Sequence, residues 1–232
     1  MSTHAEPVRS SALDAIIKDA GGTALPDNTP DEPHFTELID ECAQLLHTIN
    51  FVKVQDKQVA HATFPAAGPK ITYDSTFTMG NANIDEAAFR TACILHEIMH
   101  VSVDSLYEQH PDPNERGVWR SYNFHYTSSQ GKNLDKQCEI AEANLLKVKA
   151  FVAADNSLPI EVRDHIDGRV EYGLPTAITH WDTVLFDILV YLRILGYTSK
   201  NISFAYLTKL SQQAKTHRLD PNRGPMPVAP AT

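Results

Sequence analysis

The sequence has few cysteines and a deficit of positive charge. Its 232 residues include 3 Cys, at positions 42, 93 and 138, each within an apolar pattern typical of a helix. Because the cysteines are few and uneven in number, we predict buried free thiols in a reducing compartment rather than a disulfide framework. Lys and Arg number 20 against 29 Asp and Glu, which gives a net charge of −9. Because phosphate groups bind clustered Lys and Arg, we expect neither a nucleic-acid partner nor binding to an anionic membrane surface.

The sequence also lacks a long hydrophobic run. The first thirty residues contain no apolar stretch as long as that of a signal peptide. The most apolar stretch, TVLFDILVYLRILGY at 183–197, is interrupted by Asp187 and Arg193 and is too short to span a bilayer. These absences predict a soluble intracellular protein.

Apolar residues make up 42% of the chain, which is enough for one domain with a proper core. Residues 1–33 are rich in Ser, Thr, Pro, Gly and Asp, and we predict that they form a flexible leader. The proline-rich end, 219–232, is predicted to be a disordered tail. One domain therefore extends over 34–218.

Hydrophobic spacing within this domain predicts mainly helices. Alternating, β-rich segments predict a few short strands between the first helix and the others. The helices are expected at 34–49, from Asn83 or Asp85 to about residue 110, at 134–155, 181–195 and 201–217, and the strands near 51–55, 58–64 and 70–75. This order predicts an α+β fold, mainly helical, with a small antiparallel or mixed sheet.

Two histidines and a glutamate in the second of these helices carry the main functional signal. His96 and His100 are four residues apart, and Glu97 directly follows the first. Residues four apart share one face of a helix, so both imidazoles can bind one Zn²⁺ at about 2.0–2.1 Å. Glu97 lies beside that face, where it can act as general base on a water that zinc activates. This is the HExxH pattern, and the chain here resembles the zinc metallopeptidases with a zincin fold.

Catalytic zinc normally has a third protein ligand. The metzincin version is excluded, because Val103 and Leu106 stand where it requires a glycine and a histidine. In gluzincins the third ligand is a glutamate on a later helix, and EIAEANL at 139–145 resembles such a helix. The resemblance implies Glu139 as third ligand, with Glu142 as the alternative. Both can instead be solvent-exposed acids of a helix surface, and this interpretation stays open.

The resemblance also implies groups that support the metal. Gluzincins often carry an aspartate four residues after the glutamate ligand, but this chain has Ala143 there. A residue that orients the first histidine must therefore come from elsewhere, and Asp182 and Asn144 are candidates.

Hydrolysis further requires a donor for the oxyanion. The first candidates for this catalytic role are Tyr172 and His180. An aromatic loop between the two ligand helices supplies others, namely Tyr122, His125 and Tyr126.

The activity that the resemblance implies is that of a zinc metallopeptidase, which hydrolyses a peptide bond of a protein or peptide substrate with Glu97 as base. One alternative is a zinc-dependent amidase that acts on a small or cell-wall substrate. Another is a catalytically inactive zincin-fold binding protein, although a structural zinc site has no use for the intact glutamate. The protein is expected in the cytoplasm, or as a bacterial effector secreted into a host cytosol without a classical signal peptide.

Overall fold

The structure, a computed structural model, describes residues 10–26, 33–63, 65, 67–108, 131–197 and 203–219. Parts of three predicted segments fall outside this part of the chain. They are residues 1–9 and 27–32 of the predicted leader, the aromatic loop with Tyr122, His125 and Tyr126, and the predicted tail apart from Leu219.

Helices dominate the described residues, and a small sheet lies between the second and third of them. The helices are α1 (Ser11–Asp19), α2 (Pro33–Leu45), α3 (Glu86–Glu108), α4 (Gly131–Ala153), α5 (Ile160–Gly173), α6 (Ala177–Ile194) and α7 (Phe204–Leu219). The strands are β1 (Asn50–Lys53), β2 (Ala60–Thr63) and β3 (Lys70–Tyr73), and short 3-10 helices occupy Leu46–Thr48 and Leu174–Thr176. The prediction of a mainly helical α+β fold with a small mixed sheet is confirmed.

The three strands form one sheet in the order β1-β3-β2. Strand β1 pairs with β3 in parallel, and β2 pairs with β3 in antiparallel orientation. Strand β2 is therefore an edge of the sheet, and it packs against α3.

Helices α3 and α6 form the centre of the domain. Residues 88–102 of α3 and 183–193 of α6 are buried without interruption. Helix α6 packs against α3, α4, α5 and α7, which explains why its sequence is apolar on every face. The polar side chains within these two helices therefore lie deep in the core.

The prediction of a flexible leader over 1–33 was wrong for residues 11–19, which form α1. The Ser10 side chain accepts a hydrogen bond from the backbone N–H of Leu13 and caps this helix. Leu13 and Ile17 are buried in the core. Two apolar residues one turn apart are too short a pattern to separate a docked helix from a polar leader.

Helix α5 was not expected from the sequence either. Its buried residues Val162, His165, Ile166 and Val170 alternate with charged residues, so that the apolar face is narrow. Pro159 precedes this helix and Pro175 follows it, and prolines at such positions are typical of loops and turns.

Two further predictions concern thiols and membranes. Cys42 and Cys93 are buried free thiols, as predicted. Among the described residues, no helix combines the length and apolarity needed to cross a bilayer.

Candidate metal centre

Three buried histidines from two helices meet in the core. His96 and His100 come from α3 and His180 from the first turns of α6, and one ring nitrogen of each lies within 4.8 Å of the other two. The Nε2 atoms of His96 and His100 are 3.0 Å apart. Zinc held tetrahedrally at about 2.0–2.1 Å would separate two such nitrogens by roughly 3.3 Å. The donor set therefore fits one metal ion.

The protonation of the histidines suits this role. Burial holds the pKa of His96 well below its ordinary value, and the nearby Arg169 cation lowers it further. Burial also lowers the pKa of His100, with His180 as the next cause. Both rings are therefore neutral at pH 7, which is the form of imidazole that binds metals.

The structure does not bring Glu139 or Glu142 to this group. Both are exposed, because α4 packs on its neighbours through the opposite face, which carries Ala141, Leu145 and Val148. In the described part of the chain, the three histidines form the one group of at least three potential ligands. His180, predicted as an oxyanion donor, is the third member of this group.

Glu97 is buried beside the histidines and is held by the sheet. The backbone N–H of Ala62 in β2 donates to its Oε2 atom at 2.8 Å. Burial raises the pKa of Glu97 to about 7, and the hydrogen bond from Ala62 opposes this shift only in part. A carboxyl group with this pKa exchanges protons near neutral pH, as a general base should.

Tyr172 at the end of α5 also reaches the site. Its ring centroid lies 6.0 Å from that of His96 and 5.3 Å from that of His180. The side chain is 49% exposed, so Tyr172 lies at the surface next to the buried histidines. Its expected role as an oxyanion donor stays a prediction.

A buried ionic cluster that was not expected from the sequence lies behind His96. Asp187 of α6 is fully buried, and its carboxylate is paired with Nε of Arg169 from α5. The same carboxylate lies 3.3 Å from Nε2 of His165 and 3.9 Å from Nδ1 of His96. Nη2 of Arg169 is 3.2 Å from the same Nδ1 atom.

Asp187 is the nearest recorded carboxylate to the outer nitrogen of His96, and the backbone carbonyl of Thr183 accepts a hydrogen bond from the His96 ring. The orienting role expected of Asp182 or Asn144 stays a prediction. The signal for Asp187 was present in the sequence, because this residue interrupts the most apolar stretch of the chain. A carboxylate in such a helix must be paired to be tolerated.

A cavity of about 370 Å³ adjoins Glu97. Its walls come from β2 and the preceding turn, from α3, from α5 and from the loop between β3 and α3. Its polar lining includes Glu97, Arg169, Tyr172 and His165, and its apolar lining includes Val59, Phe77, Ile84 and Phe89. This volume lies in the lower part of the range typical of ligand sites.

The site thus combines three buried imidazoles, a buried carboxyl group and an adjoining cavity. Each of these features depends on the packing of α3 against β2, α5 and α6. No protein-family model, curated protein or solved structure matches the chain, so the functional inference depends on these side chains.

Proposed function

We propose that the protein is a zinc-dependent hydrolase of the metallopeptidase type. His96, His100 and His180 hold the metal, and Glu97 is the general base. The observation that carries this proposal is the group of three buried imidazoles with a buried glutamate beside it. A structural zinc site is closed by four protein ligands, whereas a catalytic site has three and keeps one position open.

Zinc bound there would act as a Lewis acid and would lower the pKa of water into the neutral range. The protein supplies the base. The Ala62 N–H fixes Oε2 of Glu97, and among the described residues Oε1 has no recorded hydrogen bond. Oε1 is therefore the oxygen that accepts the proton in this proposal.

Asp187 has a separate task, which is to hold His96. A histidine that binds metal through Nε2 carries its proton on Nδ1 and needs an acceptor there. Arg169 offers donors only, so it cannot be that acceptor. The backbone carbonyl of Thr183 accepts a hydrogen bond from the His96 ring. The carboxylate of Asp187 lies 3.9 Å from Nδ1, beyond hydrogen-bond distance, where its negative charge favours the proton on Nδ1, and it is itself held by Arg169 and His165.

The edge strand β2 favours a peptide as the substrate. The N–H of Ala62 is directed at Glu97, away from the partner strand β3. Because the hydrogen-bonding groups of a strand alternate in direction, those of Ala60 face the same side. An extended peptide can pair with such an edge and place its backbone beside the base.

The size of the cavity supports a second candidate within the same chemistry. A volume of about 370 Å³ suits a small ligand. A zinc-dependent amidase that acts on a small or cell-wall substrate would use the same residues. The two candidates differ in the length of substrate that they accept.

The test of the proposed function is the variant Glu97→Gln in the zinc-loaded protein. We expect one zinc ion per chain to remain bound, because Glu97 is not a ligand. Hydrolysis of a mixed library of fluorogenic peptides and acyl amino acids should fall by about 10²–10⁴-fold. The matched control, Glu139→Gln, removes an exposed carboxylate and should change neither zinc content nor rate.

Two results would contradict the proposal. One is a wild-type protein that binds no zinc. The other is a Glu97→Gln variant that hydrolyses the library at the full rate. Zinc binding without any hydrolysis by the wild-type chain would instead support the inactive binding protein.

A further inference from the structure

We infer that Arg169 binds a carboxylate group of the substrate, so that the preferred substrates are short peptides or N-acyl amino acids with a free C-terminal carboxylate close to the cleaved bond. This inference rests on the proposed hydrolase function and narrows it to one class of substrate. It begins from a cation that lies in the same cavity as the base, Glu97.

The guanidinium group of Arg169 has one nitrogen to spare. Nε is paired with Asp187, and Nη2 lies 3.2 Å from Nδ1 of His96. Nη1 has no recorded hydrogen-bond partner among the described residues, and it is not one of the fully buried polar atoms. Since Arg169 lines the cavity, its N–H donors on Nη1 are available to a ligand there.

The orientation of this guanidinium is fixed before any ligand binds. Its Cζ atom lies 4.8 Å from the ring centroid of Tyr172 and 5.9 Å from that of Phe89. Asp187 holds the Nε edge from behind. A cation fixed in this way loses little conformational entropy when it binds an anion, which favours affinity.

Charged groups are few around the cavity. Asp187 is paired with Arg169 behind the cavity wall, and a divalent metal, when bound beside Glu97, would carry twice the charge of that carboxylate. The other charged groups of the lining are Asp164 and Lys57. Asp164 already accepts a hydrogen bond from the Asn83 amide, and Lys57 lies at an exposed turn. Arg169 is thus the cation that is both buried and close to the base.

The remaining walls indicate what accompanies the carboxylate. Val59, Phe77, Ile84 and Phe89 provide an apolar surface in the same cavity. A terminal residue with a large apolar side chain would place that side chain on this surface and its carboxylate on Arg169. Its acyl group would then extend towards Glu97.

The test compares two probes that differ only in charge, N-acetyl-phenylalanine and N-acetyl-phenylalaninamide. Their affinities are measured by calorimetry with the zinc-free and the zinc-loaded chain. We expect the carboxylate to bind at least about tenfold tighter in both forms, as for a hydrogen bond to a charged group. The zinc-free measurement matters because zinc itself can attract a carboxylate.

Variants test whether Arg169 causes the preference for the carboxylate over the amide. The double variant Arg169→Gln with Asp187→Asn removes both charges together, so that neither is left buried without a partner. We expect its preference for the carboxylate to fall below about threefold. Lys57→Gln, which removes the other cation of the lining, should leave the preference unchanged. Circular dichroism checks that each variant is folded. If the double variant does not fold, it is replaced by Arg169→Lys, which keeps the positive charge but lacks the planar guanidinium group.

Equal affinity for the two probes, or no binding of either at millimolar concentration, would overturn the inference. So would an undiminished preference in a folded Arg169 variant. If the preference is found but no substrate is hydrolysed, the proposed function fails while the carboxylate site stands. If hydrolysis depends on Glu97 but the acid and the amide bind equally well, the carboxylate site fails while the proposed function stands.

Discussion

His180 is the residue on which the metal site depends most directly. It is the only member of the three-histidine group that does not come from α3, and it is buried at the start of α6. We expect His180→Ala to weaken zinc binding by at least about 100-fold, since loss of a direct ligand should cost more than the 10–100-fold typical of its supporting residues. A competition titration against a chromophoric chelator measures this change.

The control for this experiment is Glu139→Ala. The side chain of Glu139 is exposed on α4, so its removal should leave zinc affinity unchanged. If Glu139→Ala weakens binding and His180→Ala does not, the gluzincin ligand set is correct and the three-histidine site is not.

Asp187 ties the metal site to the stability of the core. We expect Asp187→Asn to reduce the free energy of unfolding of the zinc-free protein by about 3–5 kcal/mol, because Arg169 is left buried without its counter-charge. The same change should weaken zinc binding by about tenfold, because His96 loses the nearby negative charge that favours a proton on Nδ1. Urea denaturation gives the first quantity and chelator competition the second.

Two comparisons make this prediction specific. Glu171→Gln breaks the exposed pair with Lys149 and should cost less than about 1 kcal/mol. Replacing the buried pair by apolar residues, Arg169→Met with Asp187→Leu, should restore most of the stability but not the zinc affinity. Restored zinc affinity in that double variant would show that Asp187 does not position His96.

The residues of the site differ in how far the sequence could predict them. His96, Glu97 and His100 share one helix, so their spacing alone placed them together. His180 comes from a different helix, and its partners depend on how α3 and α6 pack, which no local spacing encodes. The expectation of Glu139 came from a resemblance to other proteins, and the packing of α4 through its other face turned this residue towards solvent.

At the scale of elements, α1 is the part of the fold for which sequence and structure disagree most. We expect Leu13→Ala and Ile17→Ala each to reduce the free energy of unfolding by about 2–5 kcal/mol, because both side chains are buried in the core. Ser10→Ala, which removes the helix cap, should lower the free energy of unfolding by about 1 kcal/mol. Denaturant unfolding of the full chain measures these effects.

Lys18→Ala serves as the matched control on α1, since Lys18 is exposed, and its effect should stay within about 0.5 kcal/mol. If Leu13→Ala is equally mild, residues 11–19 are not docked on the core and the flexible-leader prediction holds after all.

The elements that the sequence did predict share a physical property. Helices α2, α3, α4, α6 and α7 are long enough to show an apolar pattern of helical spacing, and strands β2 and β3 alternate between apolar and polar residues. Helices α1 and α5 were missed because their apolar faces are short or narrow, and tertiary packing rather than local pattern holds them. Since α5 carries Arg169 and Tyr172, missing this helix also hid part of the site.

At the scale of the whole molecule, the metal site joins helices that are distant in the sequence. The unfolded chain holds His96 and His100 near each other but not His180, so zinc should bind the folded state far better than the unfolded state. Binding that favours the folded state stabilises it by about 2.7 kcal/mol at a free ligand concentration of 100 times Kd.

For a chain of this length, that stabilisation corresponds to a rise in Tm of about 5–10 °C. We therefore expect zinc to raise the Tm of the wild-type protein by this amount in differential scanning calorimetry, and a chelator to reverse it. In His180→Ala the same zinc concentration should raise Tm by less than about 2 °C, because the two remaining ligands lie on one helix and no longer link α3 to α6. An equal rise in both proteins would show that the metal is held by α3 alone, and the packing of α6 against it would then have no part in the site.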